Sequence, residues 1–188
     1  MRFCSACGTP VVRRRPEGDD RDRSVCPACG TIHYENPKVV VGSVCEAGGR
    51  LLLCRRAIPP RTGFWTIPAG FLELGESAEE GARREAWEEA CARIELIGLL
   101  AVYSVRRINQ VQLLYRARLL DERVAAGPES LEVALVEWAD IPWDELAFPT
   151  VRWILEHARA VRQGPWPIAA VGNPGDTEPP LAPGQLLP

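Results

Sequence analysis

Two identical frames near the start constrain this chain more than any other feature. They are Cys4-Ser5-Ala6-Cys7-Gly8 and Cys26-Pro27-Ala28-Cys29-Gly30, with 18 residues between Cys7 and Cys26. A Cys-x-x-Cys turn presents two sulfurs to one ion, so two such turns supply the four thiolates of a tetrahedral Zn²⁺ site. The glycine after each pair lets the turn close with backbone N–H groups aimed at sulfur. Between the frames the run from Arg13 to Arg23 is polar and mixed in sign, and residues 1–36 hold few large apolar side chains. Burial alone cannot fold such a segment, and a metal staple can. Four sulfurs close the coordination sphere, so the expected ion is structural. His33 then reads as a surface or interdomain residue rather than a ligand.

The other cysteines, Cys45, Cys54 and Cys91, bring the total to an odd seven. That fits a reducing compartment better than a disulfide framework, and each reads as a small buried apolar residue. No apolar run approaches the roughly 20 residues of a membrane span. The opening MRFCSACG has no apolar signal core. The expectation is a cytoplasmic protein without a membrane partner. With 22 basic against 25 acidic residues there is no polyanion-binding field. Asp19, Asp20 and Asp22 offset Arg13–Arg15, which argues against nucleic acid as a partner.

From Asn36-Pro37 onward the pattern changes to that of a packed domain. Lys38 to Cys45 and Leu51 to Cys54 read as a hairpin around Ala47-Gly48-Gly49. Ser77 to Cys91 reads as a helix: Ser77 and Glu80 form a capping box, and Ala78, Ala82, Ala86 and Ala90 recur every four residues. Ile94 to Val105 is a long strand, followed by one with Val111, Leu113, Tyr115, Ala117 and Leu119 on one face. Asp121 to Glu132 reads as a loop and Val133 to Trp138 as a strand. A last helix starts near Pro149, with Val151, Ile154, Leu155 and Ala158 on one stripe. Gly164 to Pro188 contains seven prolines and no periodicity, which reads as an extended tail on which Trp166 alone could dock. The expected division is therefore 1–36, 37–162 and a flexible 163–188.

The chemistry concentrates on the first helix. Glu85, Glu88 and Glu89 stand at i, i+3 and i+4, within an arc of about 100°. Three like charges on one face weaken a plain surface helix. A divalent cation removes that penalty, and an oxygen-only donor set suits Mg²⁺ or Mn²⁺. The competing reading is a solvated acidic face partnered by Arg83 and Arg84.

The stretch from Gly70 to Ala92 resembles the box of the Nudix hydrolases, G-x5-E-x7-R-E-U-x-E-E-x-G-U, where U is a bulky aliphatic. Six of its seven fixed positions are present: Gly70, Glu76, Arg84, Glu85, Glu88 and Glu89. The departures are Cys91 for the last glycine and Ala86 and Ala92 for the aliphatics, which bear on helix-end geometry and packing. The approach, Trp65 to Phe71, is also similar. Residues 1–36 resemble the zinc ribbon that precedes some bacterial members. The segments Tyr34–Lys38 and Gly127–Val133 resemble a ribbon-bearing subgroup that includes FAD pyrophosphatases with ADP-ribose activity.

The resemblance implies an α/β fold, an α/β/α sandwich around a mixed sheet preceded by a zinc ribbon. It implies a hydrolase in which Glu85 and Glu89, with the carbonyl of Ala69 or Gly70, hold Mg²⁺ or Mn²⁺. Glu88 would complete that cluster, Arg84 would hold the carboxylates, and Glu76 would lock the loop through Arg84. Cys4, Cys7, Cys26 and Cys29 would hold structural Zn²⁺. The general base is expected on a later loop, at Glu129 or Glu132, with Glu132 preferred because it opens a strand. The implied substrate is a nucleoside diphosphate-linked small molecule such as ADP-ribose or FAD. The alternatives are NADH pyrophosphatase or RNA de-capping activity, and a non-catalytic nucleic-acid-binding ribbon module. Against the first stands the stretch Tyr103 to Val111, which lacks the SQPWPFP-like segment of those relatives. Against the second stand the intact box glutamates. Tyr34, Phe64, Trp65 and Tyr103 are the candidate stacking residues for a base, and a homodimer is left open.

Overall fold

The computed structural model describes residues 1–162 and the backbone of 170–172. The chain divides into two compact units, Met1–Pro37 and Lys38–Pro188.

The first unit is built on two copies of one turn. Cys4 N–H donates to the Thr9 carbonyl and Gly8 N–H to that of Cys4; Cys26 with Thr31 and Gly30 with Cys26 repeat the pattern. Gly8 and Gly30 share a φ of 74°, left-handed backbone that glycine adopts without a Cβ clash. β1 (Val12–Arg14), β2 (Arg23–Val25) and β3 (Ile32–His33) join in a small antiparallel sheet. Apart from the half-buried Ile32, buried side chains in these strands amount to Ser24, Val25 and His33, too little to hold the unit by burial.

The second unit is a mixed sheet between two helices. Its strands are β4 (Lys38–Ala47), β5 (Arg50–Arg56), β6 (Trp65–Thr66), β7 (Ala69–Phe71), β8 (Ile94–Val105), β9 (Gln110–Leu119), β10 (Ser130–Glu137) and β11 (Ala170–Gly172). The order is β10-β5-β4-β9-β8-β11, with β6 added to β5 and β7 to β4. β4 and β9 run parallel, as do β8 and β11, and the other pairs are antiparallel. Helix α1 (Ala78–Ala90) covers one face and α2 (Pro149–Val161) the other.

This arrangement explains the unbroken apolar run in β5. Side chains alternate across a strand, so a sheet covered on both faces needs apolar residues at every position. Leu51 and Leu53 pack under α2 with Ile154 and Leu155, whereas Leu52 and Cys54 pack under α1 with Ala86 and Ala90. Cys45 and Cys54 are buried as expected. The alanines repeating along α1 let that helix lie close to the sheet. Among the described residues no helix is long and apolar enough to cross a membrane.

Several boundaries differ from expectation. β10 starts at Ser130 rather than Val133, because Ser130 already pairs with Arg56 before an irregular step at Glu132. β6 and β7 have only two and three residues, and each exists through pairing with a longer strand. Within the expected 163–188 tail, Ala170–Gly172 pairs in parallel with Ala101–Tyr103. Trp166 and the rest of that stretch lie outside the described residues. Tyr103 belongs to the core, edge-on to Trp153 at 5.8 Å, and not to a binding surface.

Candidate active site

α1 begins with the anticipated capping box. Glu80 N–H donates to Ser77 Oγ at 3.2 Å, and Ser77 N–H to Glu80 Oε2 at 2.7 Å. Starting the helix there fixes which side chains face β7. Glu85 and Glu89, 8% and 5% exposed, point into the molecule, while Glu88 stays on the surface.

Gly70 on β7 is where the strand meets the helix. A Cβ at that position would lie 2.3 Å from Glu85 Oε1 and 2.5 Å from Oε2, so any side chain there displaces the carboxylate. The neighbouring Ala69 N–H donates to Glu89 Oε2 at 3.3 Å. Ala69, Gly70, Glu85 and Glu89 therefore meet in one cradle.

The Arg84 guanidinium organises the acidic groups by using all five of its N–H donors. Nε and Nη2 grip Glu76 at 3.0 and 2.7 Å, and Nη2 also reaches the Phe71 carbonyl at 3.0 Å. Nη1 bridges Glu85 Oε1 and Glu88 Oε2, each at 2.8 Å. Glu76 accepts Glu73 N–H as well, at 2.8 Å. The Arg84 hydrogen bonds, with that backbone contact, hold the Glu76 carboxyl down at about 2. The resemblance implied a loop lock at Glu76, and in the structure Glu76 contacts both Arg84 on the helix and the Glu73 backbone of the loop.

Burial acts the other way on the two inward glutamates. It pushes Glu89 up to about 8, with the Glu85 charge adding to the rise. Glu85 is raised as well, chiefly by burial and against the pull of Arg84. Two buried carboxylates this costly to ionise fit a position built to face a cation. The donors are all oxygen, which matches Mg²⁺ or Mn²⁺. Glu85, Glu88 and Glu89 do not draw together as tightly as the thiols. Among the described residues, Cys4, Cys7, Cys26 and Cys29 form the one group of three or more ligand side chains gathered within 4.8 Å.

The four sulfurs fit a tetrahedral ion by distance. Cys7 Sγ lies 3.5 Å from Cys26 Sγ and 3.6 Å from Cys29 Sγ, and Cys4 Sγ lies 3.7 Å from Cys29 Sγ. A tetrahedron with Zn–S bonds of about 2.3 Å has edges of about 3.8 Å. Ala6 N–H and Cys29 N–H point at Cys4 and Cys26 sulfur, at 3.4 and 3.5 Å. His33 is buried and stands outside the sulfur cluster.

The two base candidates differ in their surroundings. Glu132 lies on β10 with its carboxylate 3.5 Å from the Arg55 guanidinium. Glu129 lies in the turn before β10, and its charge adds to the upward shift of both Glu85 and Glu89. Arg56 acts on Glu89 in the opposite sense, stabilising its ionised form, and nothing in its sequence context singled it out. Cys91, expected to be simply buried, instead caps α1 in left-handed backbone, φ 49° and ψ 27°.

Two family models account for most of the chain. One, described as Nudix N-terminal, matches residues 2–35, and a second, described as NUDIX domain, matches residues 35–157. A crystal structure of a NUDIX hydrolase from Nitrosomonas europaea is 48% identical, with a TM-score of 0.88 over 92% of this chain and 98% of that one. An NAD-capped RNA hydrolase NudC of Stutzerimonas stutzeri is 32% identical over 71% of this chain. An ADP-ribose pyrophosphatase of Methanocaldococcus jannaschii is 28% identical over 67% of this chain and 76% of its own length. The chain spans 46% of the Stutzerimonas protein and half or less of other curated bacterial relatives it matches.

Proposed function

The chain belongs to the Nudix family, and from that membership we propose that it is a metal-dependent pyrophosphohydrolase that splits a nucleoside diphosphate-linked substrate, ADP-ribose or FAD. The observation that carries the proposal is the cradle at Gly70, where two buried carboxylates of raised pKa face β7 and a fully engaged arginine holds their outer partners. Glu85 and Glu89, with a backbone carbonyl of Ala69 or Gly70, would hold Mg²⁺ or Mn²⁺, and Glu88 would complete the set. The chemistry such an ion would supply is neutralisation of the diphosphate charge and a lower pKa for the attacking water. Arg84 keeps the glutamates in place, and Glu76 keeps Arg84 in place. Glu129 would accept the proton of the attacking water. Sequence alone favoured Glu132, but that carboxylate already faces Arg55, whereas Glu129 bears electrostatically on both inward glutamates. In the first unit Cys4, Cys7, Cys26 and Cys29 would hold Zn²⁺ in a purely structural role.

Likeness to an ADP-ribose pyrophosphatase over three quarters of that protein supports the substrate. The NudC likeness favours a second reading, hydrolysis of NADH or of NAD-capped RNA. The stretch Tyr103 to Val111 supports the first reading, since it lacks the SQPWPFP-like segment of the NADH and de-capping relatives. Product analysis with Mg²⁺ across ADP-ribose, FAD, NADH, NAD-capped RNA and nucleoside triphosphates tests the assignment. AMP with ribose 5-phosphate or FMN is expected. Cleavage confined to NADH or capped RNA moves the assignment to the second reading. Cleavage confined to triphosphates removes both.

A further inference from the structure

The segment between β9 and β10 returns to the end of α1 and stops there for a physical reason. The last carbonyls of a helix lack partners within it. Ala125 N–H donates to the Ala90 carbonyl at 2.9 Å, and Gly127 N–H to the Glu89 carbonyl at 3.0 Å. The contact at residue 127 has no room for a side chain: a Cβ would lie 1.7 Å from the Glu88 carbonyl oxygen and 2.8 Å from its carbon. Those atoms are backbone, held by the helix, so they cannot move aside. The chain then turns, with Pro128 fixing the bend and Ser130 N–H returning to the Gly127 carbonyl at 3.0 Å. On the far side, Ala57 N–H donates to the Glu129 carbonyl at 2.8 Å. Glu129 is thus pinned between the helix that carries Glu88 and Glu89 and the strand end after Arg56.

We propose that Gly127 is a positioning residue for the reaction: its bare contact with the Glu88 and Glu89 backbone sets the Glu129 carboxylate against the acidic cradle. The proposal rests on Glu129 being the general base. A side chain at 127 forces the turn away from α1 by more than an ångström and carries Glu129 with it. Displacement of a reacting group by about 1 Å costs on the order of a hundredfold in rate. The contacts of Gly127 are with the α1 backbone and its own turn, so the effect is expected in kcat rather than in KM.

The experiment is a double-mutant cycle on the full chain, with ADP-ribose and saturating Mg²⁺. Gly127→Ala is expected to lower kcat about tenfold to a hundredfold with KM within about twofold. In a Glu129→Gln background the same change should lower kcat by less than about twofold, because the group it misplaces is already gone. Pro128→Gly relaxes the turn without a collision and carries the test if Gly127→Ala does not fold; it should show a smaller kcat loss that also vanishes in Glu129→Gln. Parental turnover by Glu129→Gln refutes the base assignment. A large loss in Glu129→Gln, multiplied undiminished by Gly127→Ala or Pro128→Gly, refutes the positioning role alone. So does either variant turning over at the parent rate, or raising KM while leaving kcat intact.

Discussion

Gly70 and Glu85 exclude each other's side chains: a Cβ on Gly70 would stand 2.3 Å from Glu85 Oε1, on the helix opposite. The strand approaches the helix so closely that only glycine at position 70 leaves the Glu85 carboxylate in place. Gly70→Ala should therefore turn Glu85 out of the cradle. The Mg²⁺ concentration for half-maximal activity should rise at least about tenfold, the loss typical when one group of a metal site is misplaced. An unchanged Mg²⁺ requirement contradicts the geometry.

Glu76 links loop and helix through Arg84, and its effect on stability depends on pH with a definite sign. Its carboxyl titrates at about 2 in the fold against an ordinary 4.5. A carboxylate depressed in this way contributes stability that is fully present above about 4.5 and lost as pH falls toward 2. Glu76→Gln lacks that contribution. Urea unfolding at pH 6, 4 and 3 should show a gap between parent and variant that closes on acidification. A gap that stays constant or widens is inconsistent with the ion pair.

Cys91 occupies the box position at which the family pattern has glycine, and it adopts the left-handed backbone that glycine favours. A residue with a Cβ spends about 1–2 kcal/mol in that conformation. Cys91→Gly should raise unfolding stability by about 1 kcal/mol with activity unchanged. A loss of stability means that the Cys91 side chain makes packing contacts worth more than its backbone strain.

In the first unit, elemental analysis of protein purified without chelator should give one zinc per chain. Cys4→Ser should lose the ion and unfold Met1–Pro37, because that unit has almost no other core. A folded first unit without zinc contradicts the structural role.

What the sequence disclosed, and what it hid, follows the range of the interactions involved. The capping box at Ser77 and Glu80, the glutamates of α1 and the two thiol frames are local, so spacing alone located them. β6 and β7 went unseen because two or three residues carry no periodicity of their own. Glu132 is preferred as base on a local criterion, because it opens a strand. The proposal for Glu129 draws instead on Gly127 docking on the Glu88 and Glu89 backbone nearly forty positions earlier in the chain, which no local pattern records. Gly127 and Pro128 fall within the stretch that reads as a loop, and the close contact of the glycine with the α1 backbone gives it a second reason to be there. Arg56 had no local signature either, since its charge comes to bear on Glu89 only in the fold.

The most direct test follows ADP-ribose cleavage during Mg²⁺ titration of the parent and of Glu89→Gln, a change that preserves size and helix propensity while removing one anionic ligand. The parent should release AMP and ribose 5-phosphate only when Mg²⁺ is present. Glu89→Gln should retain the fold by circular dichroism and turn over at least about a hundredfold more slowly at every Mg²⁺ concentration. Parental turnover by a folded Glu89→Gln, or metal-independent cleavage by the parent, would contradict a mechanism centred on the Gly70 cradle.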